Sequence, residues 1–192
     1  ENVLDALETE DHQFMTVVVD TVDVLFGMCL KHVCKKYGWN DVGDGAFGKG
    51  WRALELEWTD RIVRVRNLRN KKGKKMMVVL LSHERQEMIR VRRGSSEMDT
   101  GRFKITSALP SKARGTLHAQ VDMVIRCEMN EENKRVMRTR TSDTPAAEIE
   151  AKSRGDLAGG KELDEFIDLS WKALHQNFKK KFGTKKEAAD AK

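Results

Sequence analysis

Apolar positions between residues 11 and 37 recur at helical spacing. Between residues 11 and 37, five apolar side chains follow one another at intervals of four and seven residues: Phe14, Val18, Leu25, Cys29 and Val33. Such intervals place side chains on one face of an α-helix. Gly38 follows, and glycine commonly ends a helix. The pattern therefore predicts a helix over residues 11–37.

Between residues 51 and 140, most segments alternate apolar and polar positions, which is typical of strands with one buried face, and Met76–Leu81 is apolar throughout. The longest alternation is Thr116–Met129, where seven apolar residues occupy every second position. Short polar turns separate the segments, so most neighbouring strands are expected to pair antiparallel. The predicted strands are 51–58, 61–68, 76–81, 88–93, 102–106, 116–129 and 134–140.

After the strands the chain becomes polar and then helical again. Residues 141–160 contain Pro145 and three glycines, which predicts a linker or mobile loop. Residues 161–182 carry one apolar stripe and predict a long helix, and the charged end 183–192 is predicted to be a disordered tail. We therefore predict a single α+β domain over residues 1–182. Its mostly antiparallel sheet of about six or seven strands is covered by the N-terminal helix and the long C-terminal helix.

This order of elements resembles the helix-grip fold of START-type lipid-binding domains. In that fold the last helix lies across a curved sheet. The resemblance implies an apolar ligand cavity, and methionines adapt well to the lining of such a cavity. Six of the nine methionines lie on predicted strands: Met76, Met77, Met88, Met123, Met129 and Met137. They are equally compatible with an ordinary core.

Charge is distributed unevenly along the 192 residues. The net charge is +6, but residues 1–60 carry −7, residues 61–145 carry +12 and residues 146–192 carry +1. Arginines also occur in pairs two positions apart, which puts each pair on one face of a strand. An arginine-rich sheet face flanked by a lysine-rich turn favours phosphate groups as partners. The residues predicted to bind an anion or nucleic acid are Arg64, Arg66, Arg69, Lys71, Lys72, Lys74, Lys75, Arg90, Arg92, Arg138 and Arg140.

Catalytic motifs are incomplete in the sequence. The segment Gly43–Lys49 matches G-x-x-x-x-G-K, but Gly50 stands where a phosphate-binding loop has Ser or Thr. We interpret it as a loop. His83 and Glu84 do not begin an H-E-x-x-H zinc motif, because position 87 is Glu. No catalytic residue, metal or cofactor is predicted, and the protein is predicted not to be an enzyme.

These observations lead to one functional hypothesis and two alternatives. The first is a non-enzymatic binding module that contacts RNA, a ribonucleoprotein assembly or another polyanion. The second is a START-like domain that holds an apolar ligand and docks on anionic membranes, and the third is a structural subunit that contacts other protein subunits. Three cysteines without a C-x-x-C pair and the absence of an N-x-[ST] site predict a reducing intracellular compartment. Cytosol, nucleus and a mitochondrial-type matrix stay open, whereas a secreted or transmembrane protein is not expected.

Overall fold

The computed structural model describes residues 2–93, 96–145, 147–153 and 162–182. Within them lie five helices and eleven strands. The helices are α1 (Asn2–Thr9), α2 (Val22–Tyr37), α3 (Lys49–Asn67), α4 (Ser111–Gln120) and α5 (Trp171–Phe182). The strands are β1 (Thr16–Asp20), β2 (Met77–Leu81), β3 (Glu84–Arg93), β4 (Ser96–Ser107), β5 (Met123–Val124), β6 (Arg126–Met129), β7 (Arg135–Arg138), β8 (Ser142–Asp143), β9 (Ala147–Ile149), β10 (Lys152–Ser153) and β11 (Phe166–Asp168).

The α+β class is confirmed, but the single sheet is wrong. The described strands form four separate sheets with both parallel and antiparallel pairs. The helix-grip layout, and the ligand cavity that it implied, are not confirmed by this arrangement. Contacts within the chain define two compact units, one of residues 1–85 and 107–120 and the other of residues 86–106 and 121–192.

In the first unit, β1 and β2 pair in parallel, with Thr16 opposite Met77 and Asp20 opposite Leu81. The helix predicted over residues 11–37 therefore begins only at Val22. The preceding segment contains three consecutive valines, whose branched side chains fit a strand better than a helix. The predicted end of the helix is confirmed, because Gly38 caps α2 in the left-handed conformation with φ of 69°.

Helix α3 replaces two of the predicted strands, 51–58 and 61–68. Its buried side chains follow at intervals of four, four and three residues: Leu54, Trp58, Ile62 and Val65. Leu56, which the alternating pattern placed on the same face as Leu54, is 64% exposed. The helical period thus decides which side chains enter the core.

The indole of Trp58 joins three helices in the core of the first unit. Its side chain is 1% exposed. The Nε1–H group donates a hydrogen bond to the Ala113 carbonyl of α4 at 3.0 Å, and the ring meets Phe26 of α2 edge-on with centroids 5.3 Å apart. Residues 116–120 of the predicted strand 116–129 belong to α4 instead, and only β5 and β6 remain of that strand.

In the second unit the strands are joined in the orders β3-β4-β9-β8, β11-β7-β6 and β10-β5. A buried cluster of Met137, Leu163, Ile167 and Leu174 packs α5 against β7 and β11. The helix predicted over 161–182 begins only at Trp171, because Phe166–Asp168 pairs antiparallel with β7. The predicted loop 141–160 contains β8, β9 and β10, while its residues 154–160 and the predicted tail 183–192 lie outside the described residues.

Candidate functional site

The basic residues predicted as one sheet face are divided between the two units. Arg64 and Arg66 lie on α3, where side chains two positions apart point in nearly opposite directions. Arg64 forms ion pairs with Asp5 and Glu8, each at 2.5 Å, and these hydrogen bonds raise the pKa of Arg64. Arg66 donates to the Gln120 amide oxygen at 2.8 Å. The prediction that these two arginines share a strand face is therefore wrong.

Residues 69–75 form a tight turn before β2. The buried Asn70 accepts hydrogen bonds from the backbone N–H groups of Lys72 and Lys74 through Oδ1, each at 3.0 Å. Arg69 donates to the Gly73 carbonyl, and Lys71 pairs with Asp11. Lys72, Lys74 and Lys75 are exposed. Binding of a polyanion by these lysines stays a prediction.

Four predicted anion-binding residues belong to the second unit, where most of them meet partners within the unit. Arg138 lies between Glu128 at 2.9 Å and Glu165 at 2.6 Å. Arg140 donates to the Leu163 carbonyl and lies 3.3 Å from Glu162. Arg90 lies 3.7 Å from Glu97, and Arg92 is exposed on β3. The positive charges of Arg138 and Arg140 are therefore balanced by carboxylates of the same unit.

The glycine-rich segment Gly43–Gly50 connects two helices, and it does not leave a strand as a phosphate-binding loop does. It follows α2, whose 16 residues extend about 24 Å from the end of β1. A Cβ atom on Gly50 would clash with the Val42 carbonyl oxygen, and one on Gly45 would clash with the Gly50 backbone. Gly45 and Gly50 therefore serve close packing of the backbone, whereas Gly48 has open space and a φ of +74°.

A second group of polar residues lies where β1 and β2 end. Because the two strands are parallel and in register, Asp20 and Leu81 end at the same edge of the sheet. Asp20 is exposed, and Thr21 and α2 follow it directly. Ser82 and His83 follow β2. In parallel sheets with helical crossovers, ligands bind beyond these carboxyl ends.

Asp23, in the first turn of α2, connects the two strand ends. Its carboxylate accepts a hydrogen bond from the His83 backbone N–H at 3.2 Å and lies 2.7 Å from His83 Nδ1. It also accepts from the Ser82 hydroxyl at 3.3 Å. Partial burial alone would raise the pKa of Asp23, but the hydrogen bonds from His83 outweigh it and lower that pKa to about 2. The hydrogen bond with Asp23 and the charges of Asp23 and Asp20 raise the pKa of His83.

The Thr21 hydroxyl lies between Asp20 and α2 and is buried. Within the described ranges no group meets it with hydrogen-bond geometry, although it lies near enough to Asp23 to contribute to the lowering of that pKa. A buried hydroxyl without a full partner is uncommon, because its desolvation is then not compensated. This edge of the sheet therefore offers an exposed carboxylate, an unsatisfied hydroxyl and an imidazole side by side.

Sequence reasoning missed Asp20, Thr21, Asp23 and His83 as a site. The available signal was a pair of short apolar runs, Thr16–Val19 and Met76–Leu81, each followed directly by polar residues. Each run is typical of a strand in a parallel sheet that is buried on both faces. The helix predicted over residues 11–37 includes the first run, so that prediction does not place the two polar strand ends together.

The ends of two parallel strands beside the start of a helix are a position where proteins commonly bind phosphate-containing ligands. The family model of the AAA domain matches residues 1–154. The match covers most of the chain, and the chain belongs to the AAA domain family. No curated protein and no solved structure matches it significantly.

Membership of this family corrects the functional prediction. The AAA family points to P-loop domains that hydrolyse nucleotides. The prediction of a non-enzymatic binding module is therefore wrong, and so is the prediction that the protein is not an enzyme. Contacts with RNA, an anionic membrane, an apolar ligand or other protein subunits stay predictions. In the described parts of the chain, no helix combines the length and apolar character needed to cross a membrane. The intracellular compartment stays a prediction.

Proposed function

We propose that the chain is a nucleotide-hydrolysing domain in which Asp20 binds the Mg²⁺ ion of a nucleoside triphosphate. The observation that carries this proposal is the position of Asp20, the last residue of a parallel strand in a chain matched by the AAA domain family. In P-loop enzymes a strand-end Asp is one of the groups that hold Mg²⁺.

The residues at this edge suit a magnesium–phosphate ligand. Mg²⁺ prefers oxygen ligands and is commonly held by one or two carboxylates together with the phosphates of the substrate. No group of three or more His, Cys, Asp or Glu side chains suitable for a metal occurs in the described residues. The single carboxylate of Asp20 fits an ion whose other ligands come from the nucleotide and water. When bound, the ion neutralises charge that develops on the phosphates.

A second residue at this edge, Thr21, can bind the water molecules around the ion. The Thr21 hydroxyl can donate a hydrogen bond to a water molecule of the magnesium shell, which would satisfy its buried oxygen. We assign no phosphate-cradling role to Gly43–Lys49, because the segment follows the far end of α2 and does not follow a strand.

Replacing Asp20 by Asn tests the proposal. The amide keeps the size of the side chain but removes the charge that binds the ion. We expect Mg²⁺-dependent phosphate release from ATP or GTP to fall by about 100-fold or more, because metal stabilisation of the reaction amounts to several kcal/mol. The matched control is Asp60→Asn, which changes an exposed carboxylate on α3 and is expected to keep the wild-type rate.

Binding of a fluorescent nucleotide with and without Mg²⁺ separates metal binding from folding. Asp20→Asn is expected to lose the increase in affinity that Mg²⁺ gives to the wild-type protein. The proposal fails if Asp20→Asn hydrolyses nucleotide within a few-fold of the Asp60→Asn rate. It also fails if the wild-type protein neither binds nor hydrolyses ATP or GTP.

A further inference from the structure

Strand β3 lies at the edge of its sheet. In the order β3-β4-β9-β8 it pairs with β4 on one side, and in the described parts of the chain no strand pairs with its other side. The Thr100 hydroxyl of β4 donates a hydrogen bond to the Ile89 carbonyl at 2.6 Å, so the backbone groups of Ile89 face β4. Those of Met88 and Arg90 face the open edge, because the direction alternates along a strand. Another strand can therefore pair with this edge.

Side chains along β3 are exposed as well. Met88 is 43% exposed and Val91 is 47% exposed, although both are apolar. Arg90 lies 3.7 Å from Glu97 of the same hairpin, and Arg92 is exposed. Charged side chains on an edge strand commonly prevent it from pairing with another chain. They have that effect only when the other strand places like charges, or no charges, opposite them.

The order of charges along β3 is complementary to an antiparallel copy of the same strand. The strand has the sequence ERQEMIRVRR, with its two acidic residues in the first half and most of its arginines in the second. A two-fold axis at Met88 places Glu84 of each copy opposite Arg92 of the other. It also places Gln86 opposite Arg90, and the two Met88 side chains opposite each other. Opposite charges and apolar side chains in such positions stabilise a strand pair.

The neighbouring registers are less favourable. Centring the pair on Glu87 places two carboxylates directly opposite each other, and centring it on Arg90 does the same with two guanidinium groups. Centring it on Ile89 places Met88 opposite Arg90 and brings no opposite charges together. Both charge and apolar contact therefore favour the register centred on Met88.

We propose that two copies of the chain associate through β3, with the two strands antiparallel about a two-fold axis at Met88. The pairing joins the four-stranded sheets of the two copies into one continuous sheet. Because each copy uses the same surface, the association ends at a dimer. The interface is only one strand wide and smaller than that of a permanent dimer, so the dimer depends on protein concentration. This inference does not rest on the proposed nucleotide hydrolysis.

Sedimentation velocity of the whole chain tests the dimer. Between about 1 μM and about 100 μM, we expect the wild-type protein to change from monomer towards dimer. Met88→Lys places two positive charges at the axis and is expected to weaken the dimer by about tenfold or more. The matched control is Met98→Lys, which changes a methionine of β4 that is 50% exposed and does not lie on the edge strand. It is expected to dimerise like the wild type.

An exchange of charges tests the register. Arg92→Glu places carboxylates opposite each other at both ends of the interface, and Glu84→Arg does the same with guanidinium groups. Each variant alone is expected to lose the dimer. An equal mixture of the two restores an opposite-charge pair at each end, so a heterodimer is expected. Far-ultraviolet circular dichroism shows whether each variant is folded before mixing.

Three results would overturn the inference. The first is a wild-type chain that stays monomeric at about 100 μM. The second is a dimer or larger assembly that Met88→Lys leaves intact, because another surface then holds the copies together. The third is a pair of folded charge variants that do not associate when they are mixed. None of these results changes the nucleotide hydrolysis expected of wild type and Asp20→Asn, so the two proposals fail separately.

Discussion

Replacing Trp58 by Phe measures how strongly the buried indole holds the helices of the first unit together. The substitution keeps an aromatic ring opposite Phe26 and removes the Nε1–H donor to the Ala113 carbonyl. The lost hydrogen bond has a net value of about 1 kcal/mol. The two buried ring carbons that are also lost add about 1–2 kcal/mol, at roughly 0.8 kcal/mol for each methylene-sized group. We therefore expect the free energy of unfolding to fall by about 2–3 kcal/mol.

The same substitution on the same helix provides the control. Trp51 is 55% exposed on α3, and Trp51→Phe is expected to change the free energy of unfolding by less than about 0.5 kcal/mol. Urea titration followed by circular dichroism at 222 nm measures both variants, and an unchanged slope with denaturant shows that the same transition is compared. Equal losses in the two variants would refute the assignment of Trp58 to the centre of the core.

Two further predictions concern stability. The pair of Asp23 and His83 is expected to stabilise the fold fully between about pH 4 and pH 6.5. Its contribution is lost as pH falls toward the lowered pKa of Asp23, about 2, and as pH rises through the raised pKa of His83. Unfolding of wild type and Asp23→Asn across this range checks it, and a stability difference that does not vary with pH would contradict it. Gly50→Ala is expected to cost about 1–3 kcal/mol in thermal unfolding, because its Cβ meets the Val42 carbonyl. Gly27→Ala, with open space around its Cβ, is expected to stabilise α2 by up to about 1 kcal/mol, and the reverse order of the two variants would contradict the packing.

The sequence pattern predicted an element correctly where its structure depended only on its own residues. The end of α2 at Gly38 and the apolar strand at residues 77–81 followed from their own residues. Helix α3 was different, because Leu54, Leu56 and Trp58 fit an alternating period while Leu54, Trp58 and Ile62 fit a helical one. The choice between the periods depends on which face meets α2 and α4, and that contact is not local.

The candidate site could not be predicted from the sequence pattern for a similar reason, because it depends on contacts between distant segments. Three consecutive valines indicated low helix propensity, but a strand at 16–20 becomes stable only when β2 lies beside it. Asp20 and His83 belong to one site only through that pairing. Paired arginines, by contrast, were visible in the sequence, yet Arg64 and Arg138 proved to form ion pairs within their own units. Charge pattern shows how many basic groups exist and leaves their partners undetermined.

The parallel pairing of β1 and β2 has a consequence for how the protein acquires its site. The hydrogen bond between Asp23 and His83 joins residues 60 positions apart, with two helices between them. Contacts of such long sequence separation form late, since the chain loses loop entropy before they compensate it. A partly folded first unit therefore lacks the proposed magnesium–phosphate site. If a nucleotide binds across the two strand ends as proposed, it favours the complete fold by mass action, and nucleotide-dependent protection from proteolysis would report the last step of folding as well as binding.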